Sequence, residues 1–227
     1  MMFFDELQAA TAREREALYQ IPFIQDGVAG RLDLPVYIAF LTEAYHHVKH
    51  TIPLLMACGA RVPERVAWLR TAIGKYIEEE MGHEEWILSD IQAGGGDVDA
   101  VCHGKPRLAT ELMVAYAYDT IQRRNPIGFF GMVQVLEGTS IQHATRAAKA
   151  LQHSLKLPKQ AFSYLRSHGE LDIGHVEFFR DLMNRLDRNE DKAAVIHCAK
   201  AMYQLYGDIF RSLPWQVAAK GVAYAAE

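Results

Sequence analysis

From end to end, apolar residues in this chain recur with the period of an α-helix, about 3.6 residues, and runs with the strict alternation of a half-buried strand are scarce. A chain patterned this way must bury helical stripes against one another, with no sheet to support them. Prolines punctuate the pattern. Pro35, Pro63, Pro126 and Pro158 each open an apolar-periodic run, where a missing N–H costs little because the first helical turn lacks carbonyl partners. Helices are expected over about residues 3–19, 35–59, 63–93, 108–123, 126–154, 158–187 and 190–211. The third should end at Gly94-Gly95-Gly96, and Pro53 should kink the second from within. The expected fold class is therefore all-α, a bundle of about seven helices. A chain of 227 residues, 50% of them hydrophobic, is enough for one domain over residues 1–227. Its core would span about residues 3–211. The tail, residues 212–227, ends in the small and apolar QVAAKGVAYAAE and should be weakly ordered or packed on a partner.

Charge and cysteine usage remove several function classes. The net charge of −4 and pI of about 6.2 give no basic excess for nucleic acid. Cys58, Cys102 and Cys198 are scattered, without CxxC spacing, so a reducing cytoplasm is expected rather than a disulfide framework. The charged start, MMFFDELQAATARERE, lacks the apolar run of a signal peptide, and no stretch reaches the ~20 apolar residues of a membrane span.

The segment SHGELDIGHVEFF carries His168, Asp172 and His175 at i, i+4 and i+7, one stripe of a helix. Two imidazoles and a carboxylate on one stripe suit iron, manganese or zinc better than calcium. In YIEEEMGHEEW, Glu80 and His83 stand at i and i+3, the Glu-x2-His spacing that bundles contribute to di-iron sites. Glu137 is the single acid between Pro126 and Ser140, and a carboxylate on so apolar a helix is costly to bury without a cation or donor. Glu43, His47 and His50 form a third stripe. Taken singly, each has an ordinary reading: Glu80 belongs to an acidic run of the kind that faces solvent, the histidines could be half-buried packing residues, and Glu137 could cap a helix or pair with Arg123 or Arg124. Ligand-type residues at metal-compatible spacing on separate helices are harder to explain as coincidence.

Glu80-x2-His83, then Glu137 within LEGTS, then His168-x3-Asp172-x2-His175 resembles, in order and gaps, the heme-oxygenase-like di-iron oxidases, which share their fold with heme oxygenase, TenA (thiaminase II) and PqqC. The family includes the 1-undecene-forming fatty-acid decarboxylase, to which the phrasing around Glu137 is most similar, and CADD. The resemblance covers about residues 20–210. It implies two iron ions held by Glu80, His83, Glu137, His168, Asp172 and His175, with O₂ as co-substrate and a peroxo-di-iron intermediate acting on a carboxylic acid or amine. Three carboxylates against two Fe(II) ions come near charge balance, which makes such a buried site tolerable. A further ligand, a glutamate in the decarboxylase, falls here on the Glu43/His47/His50 face, with His50 in the best-aligned position.

Other family chemistries are not matched. Ile24 and Ala147 fall near the positions where CADD has a sacrificial tyrosine and a lysine. No cysteine lies between Met132 and Glu137 to act as a thiaminase nucleophile. The first histidine, His46, comes too late to be the proximal ligand of a heme oxygenase. Tyr45, Phe129, Phe130, Met132 and Phe178 are candidate walls of an apolar substrate pocket, each equally readable as core. The resemblance also implies a homodimer. The competing expectations are a non-catalytic, regulatory metal- or ligand-binding protein, or a cofactor-independent PqqC-like oxidase in which the histidines act as acids and bases.

Overall fold

Twelve α-helices form among residues 1–215, which the computed structural model describes apart from the side chains at 140–142 and 168–175. The expected apolar tail from Gln216 to Glu227 lies outside the described residues. In chain order the helices are α1 (Phe3–Ala10), α2 (Ala12–Tyr19), α3 (Pro22–Val28), α4 (Leu34–Val48), α5 (Thr51–Arg61), α6 (Trp68–Glu80), α7 (His83–Ala93), α8 (Val98–His103), α9 (Leu108–Arg123), α10 (Phe130–Leu155), α11 (Ser163–Asn184) and α12 (Asn189–Ser212). No strand occurs among the described residues, so the all-α class holds, with more and shorter helices than expected. No described helix is long and apolar enough to cross a membrane.

The excess over seven comes from breaks and from short helices. The expected first helix is two, divided at Thr11, and α3 and α8 fill stretches read as connections. The expected kink at Pro53 is a break one turn earlier: α4 stops at Val48 and α5 restarts at Thr51. A proline ring at 53 would collide with the carbonyl of Lys49 in a continuous helix. Ending the helix before that point makes Pro53 a first-turn residue, where no N–H is needed.

A second break divides the expected third helix at Met81-Gly82. Glu78, Glu79 and Glu80 crowd the C-terminal end of α6 and oppose its dipole, whereas Glu84 and Glu85 sit in the first turn of α7 and favour a new N-terminus. Gly82 makes the turn with φ 87°, in the left-handed region that glycine enters freely.

Helix α10 packs against α11, α12 and α3; α4 packs on α7, and α5 on α6 and α9. Tyr37, Tyr76, Phe130, Phe162 and Phe179 are fully buried at the centre. Gly131 lets α10 cross α12 at backbone contact, since a Cβ there would lie 2.5 Å from both Ala199 N and Val195 O. Two buried acids fix the ends of long helices. Asp90 on α7 accepts from the backbone N–H of Ser163 (2.8 Å) and Tyr164 (2.9 Å), and so caps the start of α11. Asp191 in the first turn of α12 takes a two-pronged contact from Arg65 (2.5 and 2.8 Å) and accepts from Asn125 Nδ2 (2.7 Å).

Both acids can be tested. Replacing Asp90 by Ala strands two buried backbone donors and should lower unfolding stability by about 1–3 kcal/mol in urea titration. At Asp191, burial raises the carboxyl, but the hydrogen bonds from Arg65 and Asn125 outweigh it and the net shift is downward. The unfolded chain therefore binds this proton more tightly than the folded one, and the stability contributed by the pair is lost as pH falls through the folded-state pKa. Stability measured against pH should fall on the acid side in the wild type, and the Asp191→Asn variant should start lower and fall less.

Candidate metal centre

Glu80 and Glu137 come together on the wall of one cavity, although 57 residues of sequence, by subtraction of their numbers, separate them. The cavity has a volume of about 160 Å³, and its wall is mostly apolar, from residues such as Phe23, Leu54, Phe129, Met132 and Phe210. His47 of α4, buried to 3%, and His143 of α10 share that wall with Tyr76 and Tyr206.

The Glu-x2-His pair is not carried by one helix. Glu80 is the last residue of α6 and His83 the first of α7. Across the Gly82 turn, His83 Nδ1 still reaches within 2.9 Å of Glu80 Oε2. The break lets His83 sink to 2% exposure, with its ring stacked on Trp86 at 4.1 Å and 27° between planes, while Glu80 remains on the cavity wall.

The Glu43/His47/His50 face is divided by the break after α4. Glu43 is buried, but it accepts from the backbone N–H of Arg107 (3.1 and 3.3 Å) and from Thr110 Oγ1 (2.5 Å). Its carboxylate therefore fastens the start of α9. His50 lies outside the helical register and meets Tyr118 Oη at 3.3 Å. Of the three, His47 is the one on the cavity wall. His168, Asp172 and His175 fall on the backbone of α11, and their side chains lie outside the described residues. Among the described residues, no three His, Cys, Asp or Glu side chains gather closely enough to hold a metal ion. The described portion is thus a carboxylate–imidazole pair, a second carboxylate and a further imidazole around an apolar space.

Of the expected pocket residues, Phe129 and Met132 line the cavity. Phe130, one position round α10 from Phe129, is turned into the core at 0% exposure. Tyr45 lies about 200° round α4 from His47 and packs against His46 and beneath Lys49 Nζ instead. Phe178 packs behind Tyr76, which takes the wall position, and under Lys75 Nζ at 4.2 Å. Ile24 and Ala147 are both wall residues. Sequence reasoning missed His143, although the helical stripe Phe129, Met132, Leu136, Thr139, His143, Ala147 contains it. Its Nε2 is buried without a hydrogen-bond partner, Tyr19 packs edge-on at 4.4 Å, and burial followed by the Arg146 charge lowers its pKa. Burial pushes the thiols of Cys58 and Cys198 up to about 12, so neither supplies a thiolate at neutral pH.

The model of the family described as iron-containing redox enzyme, of the heme-oxygenase type, matches residues 38–207, most of the chain. The chain belongs to that family. The protein is accordingly an oxidoreductase of an iron-containing family with the heme-oxygenase-like fold. Its structure is similar to a Shewanella denitrificans domain of unknown function with a heme-oxygenase-like fold (26% identity, 92% of this chain and 90% of that one, TM-score 0.83). It is also similar to the heme oxygenase of Leptospira interrogans (17% identity, 94% and 100% covered, TM-score 0.76) and to a CADD-like protein of unknown function from Nostoc punctiforme (17%, 91% and 96%, TM-score 0.70). These last two likenesses show the fold alone. Among curated proteins, no sequence matches.

Gly82 is the residue that joins the two halves of the Glu80/His83 pair. A Cβ at φ 87° costs about 1–2 kcal/mol of left-handed strain. The Gly82→Ala variant should lose about that much stability in denaturant titration, and should bind divalent iron more weakly than the wild type in an anaerobic titration.

Proposed function

We propose that the chain is a non-heme, O₂-dependent oxidoreductase that binds two iron ions and oxidises a small organic substrate, a carboxylic acid or an amine, whose apolar part occupies the cavity. The observation that supports this reading most is the pair Glu80 and Glu137 on a wall otherwise mostly apolar, since carboxylates in such surroundings require a cation or strong donors. The donor set fits iron. Carboxylate oxygens from Glu80 and Glu137 and imidazoles from His83 and His47 are of the type that divalent iron accepts, and His168, Asp172 and His175 are proposed to complete the set from α11. Iron held there supplies one-electron redox chemistry and the activation of dioxygen.

The remaining steps belong to the protein. The apolar wall excludes bulk water, strengthens electrostatic interactions within the cavity and holds the substrate's apolar body. The His143 pKa is lowered, so its imidazole is neutral at pH 7, and its Nε2 can accept a hydrogen bond or a proton from a polar substrate group. The Trp86 stack and the Glu80 contact set the orientation of the His83 ring before any ligand is bound.

Anaerobic Fe(II) titration tests this proposal. The wild type should take up two irons per chain, and exposure to O₂ should then produce a transient visible absorption. Glu80→Ala, Glu137→Ala and His168→Ala should each lose at least one iron, while Glu43→Gln, which keeps an acceptor for Thr110, should bind iron like the wild type. Absence of iron binding at stoichiometric metal, or a folded His168→Ala variant with full iron content, would overturn it.

A further inference from the structure

Glu137 also borders a second cavity. That space, about 390 Å³, is bounded by α1, α2, α10, α11 and α12, and its wall is of a different kind. Phe4, Val176 and Phe179 form an apolar side, with the two phenyl rings edge to face at 6.2 Å. Facing it are Arg15, Tyr19, Gln134 and Tyr203.

Among these polar groups the Tyr19 hydroxyl donates to the Gly138 carbonyl at 3.4 Å. Arg15 Nη1 donates to the Gln8 carbonyl (3.3 Å) and to Gln8 Oε1 (2.8 Å), and Arg15 forms no ion pair with a carboxylate among the described residues. Tyr203 is only 2% exposed; the Arg15 and Gln134 side chains approach its buried Oη as donors, and its own O–H has no acceptor in hydrogen-bonding geometry. Burial raises the Tyr203 and Tyr19 hydroxyls, the latter to about 12, so both remain protonated donors at neutral pH. A buried O–H donor without an acceptor carries an uncompensated desolvation cost, which a bound acceptor removes. Among the described residues Glu137 is the one acid on this wall, against the Arg15 guanidinium and four neutral donors, Gln8, Tyr19, Gln134 and Tyr203.

We propose that this cavity is a second small-molecule site, for a carboxylate with a short apolar body: the carboxylate meets Arg15 and Tyr203, and the body lies against Phe4, Val176 and Phe179. Guanidinium is matched to a carboxylate by its forked donors, and the apolar side selects against a fully hydrated inorganic anion. The two cavities share Glu137, and the Tyr19 ring of this wall packs on His143 of the other, so an occupant here adjoins the candidate centre. The site's binding groups do not depend on iron.

The test is isothermal titration of the full-length protein with butyrate, with the neutral butyramide and the cationic butylamine as controls of equal size. Butyrate should bind saturably and the two controls should not. Arg15→Gln should weaken butyrate by at least about tenfold, the loss of a charge-assisted hydrogen bond. Tyr203→Phe removes a single oxygen from the core and should weaken it by roughly threefold or more, and it carries the test if Arg15→Gln fails to fold in thermal denaturation. The proposal is overturned if butyrate does not saturate, if butyramide binds equally well, or if both folded variants bind like the wild type.

Discussion

The two hydrogen bonds from the Ser163 and Tyr164 backbone to Asp90 set the position of α11, and with it the relation between the two halves of the candidate centre. Asp90 lies two turns after His83 on α7. One short helix therefore carries a metal-type imidazole at its start and, near its end, the carboxylate that caps the helix bearing His168, Asp172 and His175. A rigid α-helix rises about 1.5 Å per residue, so this arrangement measures the separation between His83 and the beginning of α11 along a stiff element. Asp90 is fully buried, and that burial raises its carboxyl even against the two backbone donors.

The buried acids divide by what faces them. Asp90, Asp191 and Glu43 each meet donors from another element: backbone N–H groups of α11, the Arg65 guanidinium, and the start of α9. Each holds helices that are distant in sequence. Glu80 and Glu137, both half-buried, border cavities, and Glu80 also meets His83 of α7. A sequence shows all five as acids in helical stretches. What distinguishes them is the partner across the packing interface, and for Glu43 that partner, Thr110, is 67 residues away. This is why Glu43 reads as a candidate ligand in the sequence and acts as a clamp in the fold.

Helix α9 reproduces its expected range, and α10, α11 and α12 come close to theirs, because each is long, strongly periodic and bounded by proline or polar turns. The shorter elements are less legible. Helices such as α3 and α8 are too short to be stable alone and owe their form to what they pack against, which local periodicity does not record. The break at Met81-Gly82 does leave a trace in the sequence, three glutamates at a helix C-terminus followed closely by glycine. His143 leaves one too, by extension of the Phe129/Met132 stripe along α10. The division of the Glu43/His47/His50 stripe follows from Pro53, whose steric demand is met by ending the helix a turn upstream rather than by bending it.

The break between Glu80 and His83 also changes what the pair can do at the centre. On an unbroken helix, residues at i and i+3 share a face and a depth, so a pair with one member buried at 2% would draw the other in with it. Interposing Gly82 allows the imidazole to be held rigidly by Trp86 in the interior while the carboxylate stays at the cavity wall, still within 2.9 Å. The pair keeps its two donor atoms adjacent and gives up the helical geometry that usually supplies the adjacency. The His83 ring is held by its stack on Trp86, and Glu80, the last residue of α6, meets it from the other side of the Gly82 turn.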